Sequence, residues 1–228
     1  MMVLTYTLIP AFAALAGAIV ALFARPSPIA ISAIQHFAAG VVFAAAAGEI
    51  LPDVVHGGSV WATAIGGVAG VVAMLMVKQM EGFLKGSTGL LVAVAIDILV
   101  DGLVLGIGFA AGARTGLLLT IALTLEVLFL GLTVATEMAE TVKSRLRIVT
   151  TIAVLLLLLP AGALLAAPVA MLPGPVMTGF LAFGLISLLY LVTEELLVDA
   201  HETPDRPWVT AMFFAGFLIL LVIEELMA

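Results

Sequence analysis

Residues 89–111 read GLLVAVAIDILVDGLVLGIGFAA, an apolar run in which the only charged residues are Asp97 and Asp101. Because a helix rises about 1.5 Å per residue, about 20 such residues cross the roughly 30 Å hydrocarbon core of a bilayer. The run therefore predicts a transmembrane helix. Apolar runs of this kind recur along the chain and predict eight spans in all, at about 4–23, 31–52, 60–78, 89–111, 117–138, 148–170, 177–198 and 208–227.

The predicted fold class is therefore an all-α integral membrane protein, with residues 1–228 forming a single transmembrane domain. Of the 228 residues, 64% are hydrophobic and 10% are charged, whereas a soluble domain is roughly 45–50% apolar and about 25% charged. Nucleic-acid-binding proteins need a basic surface, but the formal net charge here is −7. Because the chain has no cysteine, disulfides, thiolate zinc sites and cysteine nucleophiles are excluded as well.

The basic residues predict how the spans are oriented. Of the 8 bases, only Arg114 follows an even-numbered span. The others follow the first, third, fifth and seventh spans: Arg25, Lys78, Lys85, Lys143, Arg145, Arg147 and Arg206. Lys and Arg are concentrated on the cytoplasmic side of membrane proteins. We therefore expect both termini to face outside.

Several acids lie inside the predicted spans, where a carboxylate costs about 2.5–3.5 kcal/mol even on lenient insertion scales. Asp97 and Asp101 are four residues apart in span four, so both project from one helix face. Counted from the outer helix ends, Asp101 and Glu126 lie at a similar depth in neighbouring antiparallel spans. We expect these three carboxylates to converge. No basic residue is expected at the depth of any acid inside the spans, so that only cations or protons are left to neutralise these acids.

Two further acids extend this set into a predicted ladder of oxygen ligands across the membrane. Glu49 lies near the outer end of span two, and Glu194, next to Glu195, lies in the inner half of span seven. Small residues are expected to let helices approach closely, and Gly102 and Gly131 are also expected to leave room for a ligand beside the carboxylates. In span six, Pro160 and Pro168 are expected to produce a kink.

Two short segments carry a family resemblance. Residues 189–201, LYLVTEELLVDAH, resemble the seventh-span Tyr-x-x-x-Glu-Glu-Leu-x-x-Glu-Ala segment of the ZIP family of divalent-metal transporters, particularly its bacterial GufA-like branch. Residues 97–102, DILVDG, are similar to the family's fourth-span His-Asn-x-Pro-Glu-Gly motif. The resemblance implies a ZIP-like bundle with inverted repeats, transport by alternating access and, for a bacterial branch, the inner membrane of a prokaryote.

The chain departs from the family at several metal-binding positions. Asp97 stands where the family has His, Ile98 where it has Asn, and Leu130 where it has a fifth-span Glu. All-carboxylate sites favour harder ions such as Mn²⁺ or Fe²⁺, although carboxylates also bind Zn²⁺. The predicted function is transport of Zn, Mn or Fe as divalent cations. The predicted ligands are Asp97, Asp101, Glu126, Glu194 and Glu49.

The same acids also fit a proton-coupled transporter of a small solute, in which they would form a proton relay. An enzyme is not expected, because the chain has no His-Glu-x-x-His motif and because Asp97 and Asp101 share one helix instead of facing each other. We expect no permanently bound cofactor. The expected partners are divalent metal ions and the lipid bilayer, with no nucleic acid, and a homodimer is left open.

Overall fold

A computed structural model describes residues 2–24, 26–83, 87–204 and 206–227 of the chain. Within these ranges all regular elements are helical, and eight helices are long and apolar enough to cross a membrane. The prediction of an all-helical, multi-pass membrane protein is therefore confirmed. Two of the bases behind the predicted orientation, Arg25 and Lys85, lie outside the described residues.

We number the eight helices in chain order. They are α1 Met2–Ala24, α2 Pro28–His56, α3 Val60–Phe83, α4 Ser87–Ala111, α5 Ala113–Thr141, α6 Arg145–Met171, α7 Gly174–Ala200 and α8 Pro207–Leu226. Most of them extend a few residues beyond the predicted apolar runs. Asp53 to His56, for example, were predicted to be a connection but form the last turn of α2. Polar residues can continue these helices, because a helix satisfies the hydrogen bonds of its own backbone N–H and C=O groups near the bilayer.

Local sequence explains where α2 and α6 begin. The Ser27 hydroxyl accepts the backbone amide of Ala30 at 3.3 Å, and Pro28 occupies the first turn, where its missing N–H costs nothing. Ser144 caps α6 in the same way by accepting the amide of Arg147 at 3.4 Å. Short polar caps thus mark the start of two spans whose interiors are apolar.

The sixth helix is irregular at the place that its prolines predict. It is interrupted at residues 156–157, and its last turn, Ala167–Met171, is a 3₁₀-helix. Pro160 has no amide hydrogen to donate to the carbonyl of Leu156, so a regular helix cannot run through this point. The helix is thus irregular near both Pro160 and Pro168, where a kink was predicted, and the kink itself stays a prediction.

Two helices contain a π-helical turn that was not predicted. These turns are Ala46–Ile50 in α2 and Val192–Leu196 in α7. Glu49 lies in the first turn, and Glu194 and Glu195 lie in the second. Because a π-helical turn inserts one residue into an α-helix, it rotates the side chains that follow about the helix axis.

The helices pack mainly in four pairs, which are α1 with α5, α2 with α8, α3 with α7, and α4 with α6. In each pair, glycine lets the two backbones touch. A Cβ atom on Gly102 of α4 would lie 2.0 Å from the carbonyl oxygen of Leu159 in α6. One on Gly162 of α6 would lie 2.1 Å from that of Leu99 in α4. These close approaches confirm the expected role of small residues in packing.

The same glycines correct one expectation about the acids. Gly102 was expected to leave room for a ligand beside Asp101, but it faces the backbone of α6. Gly131 likewise faces α1, where an added Cβ atom would lie 2.2 Å from the carbonyl oxygen of Ala14. That expectation is wrong, because both positions are filled by a neighbouring helix. The two glycines instead let α6 pack closely against α4 and α1 pack closely against α5.

Candidate metal centre

Helices α4 and α5 bring three carboxylates together near the middle of their lengths. Asp97 and Asp101 lie one turn apart on α4, and Glu126 faces them from α5. One oxygen from each of the three lies within 4.8 Å of the others. Their side chains are 7%, 2% and 2% exposed, respectively. The convergence predicted from spacing and depth is therefore confirmed, and we call these three residues the acidic triad.

The triad carries oxygens that lack a protein donor. The ion pairs formed between described residues join Lys78 to Glu194, and Arg114 to Glu49 and Glu224; neither Asp101 nor Glu126 takes part in them. Oδ2 of Asp101 and both carboxylate oxygens of Glu126 are buried and accept no hydrogen bond from an N–H or alcohol group of the described residues. Buried polar atoms are almost always satisfied, so these oxygens indicate a place for a cation or a proton.

A cavity of about 200 Å³ extends from Asp97 of the triad toward one end of the bundle, and Asp101 and Glu126 do not line it. We call this the Lys78 end, because α3, α5 and α7 finish there and Lys78 borders the cavity. Its acidic lining consists of Asp97, Glu137, Glu194, Glu195 and Asp199. Negative charge along such an opening raises the local concentration of cations. Asp97 is therefore the triad residue that borders this carboxylate-lined cavity.

The structure places the other two predicted ligands outside the triad. Glu194 accepts a hydrogen bond from Nζ of Lys78 at 2.9 Å, and the two side chains are about half exposed, at 47% and 54%. Oε1 of Glu49 lies 3.5 Å from Nε of Arg114, and the hydroxyl of Thr115 donates to its Oε2 at 3.2 Å.

The prediction that no base shares the depth of the acids is therefore wrong for Glu194 and Glu49. Long basic side chains extend along apolar surface from the ends of a helix. The charged group can therefore lie at a different depth from the backbone of its own residue. Lys78 and Arg114 use that reach to neutralise acids on other helices. The prediction that Glu49 and Glu194 are metal ligands stays a prediction.

Comparison with known proteins assigns no family. No family model matches the chain, and no curated protein matches it. The resemblance to the ZIP family therefore stays a prediction from the sequence.

Glu195 is a candidate site residue that the sequence argument did not select. It lines the cavity and is close enough to Asp101 and Glu126 for their charges to interact. Successive residues of a helix point about 100° apart, so only one member of the Glu194–Glu195 doublet can approach the triad. The doublet was visible in the sequence, but the π-helical turn that orients it was not.

The spacing of the triad suits a small divalent cation. Metal–oxygen bonds of about 2.0–2.2 Å hold ligand oxygens up to about 4.4 Å apart. Three oxygens around one ion lie closer together than this limit, so the triad oxygens, which lie within 4.8 Å of one another, would move inward on binding. Two aspartates on one rigid helix face and one glutamate opposite could thus surround an ion from two sides, and Glu195 lies at the cavity side.

Proposed function

We propose that this chain transports divalent metal cations across the membrane, with Zn, Mn or Fe as the cargo and the acidic triad as the binding site. The observation that carries the proposal is the triad itself, three carboxylates with oxygens within 4.8 Å of one another in the interior of an eight-helix membrane protein. Ionisable residues at this depth mark ion or proton pathways. The proposal is transport and not catalysis, with no permanently bound cofactor.

Alternating access is the mechanism that we infer for this transport. The cavity joins Asp97 of the triad to exposed side chains at the Lys78 end. At the other end, Nη2 of Arg114 lies 3.7 Å from Oε1 of Glu224 and donates to the Glu224 carbonyl at 3.0 Å, while its Nε lies near Glu49. Arg114 thereby ties α5 to α2 and α8. This is the arrangement expected when a carrier is open on one side and closed on the other.

Inverted repeats are a further part of the proposal. In such a repeat, α1–α3 correspond to α6–α8, and α4 corresponds to α5. Under this correspondence the α1–α5 pair becomes the α6–α4 pair, and the α2–α8 pair becomes the α7–α3 pair. The two helices with π-helical turns, α2 and α7, also exchange. In transporters built from such repeats, one bundle moves against the other around a central site, which supports the assignment of the triad as that site.

The remaining parts of the proposal rest on the distribution of charge. Bases at the Lys78 end favour a cytoplasmic location for that end, and hence termini that face outside. The location in a prokaryotic inner membrane and a homodimeric state stay predictions. The membrane location follows from the ZIP resemblance, and the homodimer is a state that the sequence leaves open. The transport mechanism depends on neither.

Metal flux into proteoliposomes tests the proposed function. Uptake of Mn²⁺, Fe²⁺ and Zn²⁺ by the wild type should fall at least about tenfold in Asp101→Asn and in Glu126→Gln, because each change removes a charged ligand that the ion requires. Glu140→Gln is the matched control, since it removes an exposed acid from the same helix as Glu126. Uptake in Glu140→Gln should stay close to that of the wild type.

The same vesicles separate this proposal from the proton-relay alternative. Metal ions bind deprotonated carboxylates, so lowering the pH should reduce metal uptake by competition. Proton flux that needs no metal and is lost in Asp101→Asn would support the solute transporter instead. Metal uptake that is unchanged in both triad variants would overturn the proposed site.

A further inference from the structure

Two histidines meet at the Lys78 end, outside the acidic triad. His36 lies near the start of α2, and His201 follows the last residue of α7. Their ring centroids are 5.0 Å apart, with the ring planes at 59°. The Ser32 hydroxyl donates to the Ala200 carbonyl at 2.7 Å and joins the two helices at this point. His36 is only 1% exposed, whereas His201 is exposed, so the pair connects the protein interior to solvent.

Both rings make the same hydrogen bond through Nδ1. That of His36 lies 2.9 Å from the Ser32 carbonyl, and that of His201 bonds the Leu197 carbonyl. A carbonyl oxygen can only accept, so each Nδ1 carries a hydrogen and the neutral ring has its lone pair on Nε2. Histidines that bind metals almost always donate their other ring nitrogen to a carbonyl, carboxylate or water in this way.

The Nε2 atom of His36 supplies an independent observation. It is buried and has no hydrogen-bond partner among the described residues. Buried polar atoms without a partner are rare, and an ion bound to the lone pair would satisfy this one. The spacing of the rings also fits, because two imidazoles on one tetrahedral ion with bonds of about 2.0–2.1 Å hold their centroids about 5 Å apart.

We propose that His36 and His201 form a second metal site, which binds a borderline transition-metal ion such as Zn²⁺ or Cu²⁺ through the two Nε2 atoms. Water completes the coordination on the exposed side of His201. Imidazole favours Zn²⁺ and Cu²⁺, whereas carboxylates suit harder ions. The pair thus differs from the triad in the ions it prefers. This site goes beyond the proposed transport, and it exists whether or not the triad carries metal.

Electron paramagnetic resonance of Cu²⁺ tests the site, because coupling to imidazole nitrogens identifies histidine ligands directly. The protein is purified in detergent without a polyhistidine tag and receives less than one equivalent of Cu²⁺. We expect the wild-type spectrum to contain coupling from two imidazoles. In His36→Gln and in His201→Gln that two-imidazole signal should disappear. Cu²⁺ affinity should fall by more than about tenfold, since even changes to residues outside the ligand shell cost about 10- to 100-fold.

The third histidine of the chain provides a matched control. His56 makes the same type of bond, from Nδ1 to the Pro52 carbonyl at 2.8 Å. It lies twenty residues along α2 from His36, which is about 30 Å in a helix. His56→Gln should keep the two-imidazole signal, and so should Asp101→Asn, which separates this site from the triad. His201 is exposed, so His201→Gln should fold even if the substitution of the buried His36 prevents folding.

Two results would overturn the second site. One is a two-imidazole signal that persists in His201→Gln, and the other is a wild-type spectrum without imidazole coupling. Loss of metal flux in the triad variants has no bearing on either result, because the spectra are recorded on protein at rest. Failure of the proposed transport and failure of the histidine site are therefore distinguishable.

Discussion

At the scale of single residues, the position of an acid within a span does not by itself indicate a metal ligand. Glu49 and Glu126 are both buried, at 8% and 2% exposed. Glu49 has the Arg114 guanidinium and the Thr115 hydroxyl beside it, whereas both Glu126 oxygens lack a donor among the described residues. What distinguishes the two acids is the chemistry of the neighbouring helices. Of these two acids, only Glu126 still needs a cation or a proton to neutralise it.

This contrast predicts how the triad affects stability at neutral pH. Asp101→Asn should raise the melting temperature of the metal-free protein, because it removes one of several buried acids that repel one another. A gain of about 1 kcal/mol corresponds to about 2–4 °C in a chain of this size. The substitution should also abolish the rise in melting temperature that Mn²⁺ or Zn²⁺ produces in the wild type. Differential scanning fluorimetry measures both effects.

Glu225→Gln is the control for this measurement, since Glu225 is exposed near the end of α8. It should change neither the metal-free melting temperature nor its response to metal. A metal-free Asp101→Asn protein that melts well below the wild type would contradict the idea that the triad is held against electrostatic repulsion.

At the scale of helices, the triad depends on how closely α4 and α5 are held by their neighbours. Gly102 is next to Asp101 in sequence but faces the backbone of α6. Gly131 follows Glu126 by five residues and faces α1. Each acid-bearing helix is therefore packed closely against a further helix as well as against its partner. The position of the carboxylates is set by backbone contact and not only by their own helix.

Adding one methyl group at such a contact tests this interpretation. In Gly102→Ala the new Cβ atom would lie 2.0 Å from the Leu159 carbonyl oxygen, so α4 and α6 must separate. We expect a loss of about 1–3 kcal/mol in stability, as for other overpacked interiors, and a lower metal affinity because Asp101 moves with α4. Thermal unfolding and metal titration of the purified protein measure the two effects.

Gly67→Ala in α3 is the matched substitution. Its Cβ atom would lie 3.6 Å from the nearest side-chain atom, Cγ1 of Ile186, which is an ordinary contact. Stability should be unchanged or slightly higher, since alanine favours a helix over glycine. Equal melting temperatures for Gly67→Ala and Gly102→Ala would show that the α4–α6 contact does not constrain the triad.

At the scale of the whole molecule, charge separates the two ends of the bundle. Five bases lie near the ends of odd-numbered helices or the starts of the even-numbered helices that come next: Lys78, Lys143, Arg145, Arg147 and Arg206. Arg114 begins α5 at the opposite end. The distribution predicts that the cavity leading to the triad opens to the cytoplasm and that both termini face outside. Under the proposed function, the direction in which metal moves in a cell depends on this orientation.

Because the chain has no cysteine, single introduced cysteines can test the orientation. Met227→Cys lies at the end of α8, and Glu202→Cys lies in the exposed connection after α7. In intact spheroplasts a membrane-impermeant maleimide should label Met227→Cys and leave Glu202→Cys unlabelled until the cells are lysed. The reverse pattern would place the bases outside and contradict the predicted topology.

The sequence by itself determined the eight spans and the convergence of Asp97, Asp101 and Glu126. Both follow from properties of continuous segments, namely length, hydropathy and the spacing of residues along one helix or two consecutive ones. Prediction was poorest at helix ends, where polar residues extend the spans, and at the two π-helical turns.

Only the tertiary structure decided which acids are neutralised, which member of the Glu194–Glu195 doublet approaches the triad, and which histidines meet. The Lys78–Glu194 pair joins residues 116 apart in the chain, and the Thr115–Glu49 hydrogen bond joins residues 66 apart. Such contacts depend on how helices are paired and rotated against one another. Hydropathy does not encode that rotation, because a span is apolar on nearly every side.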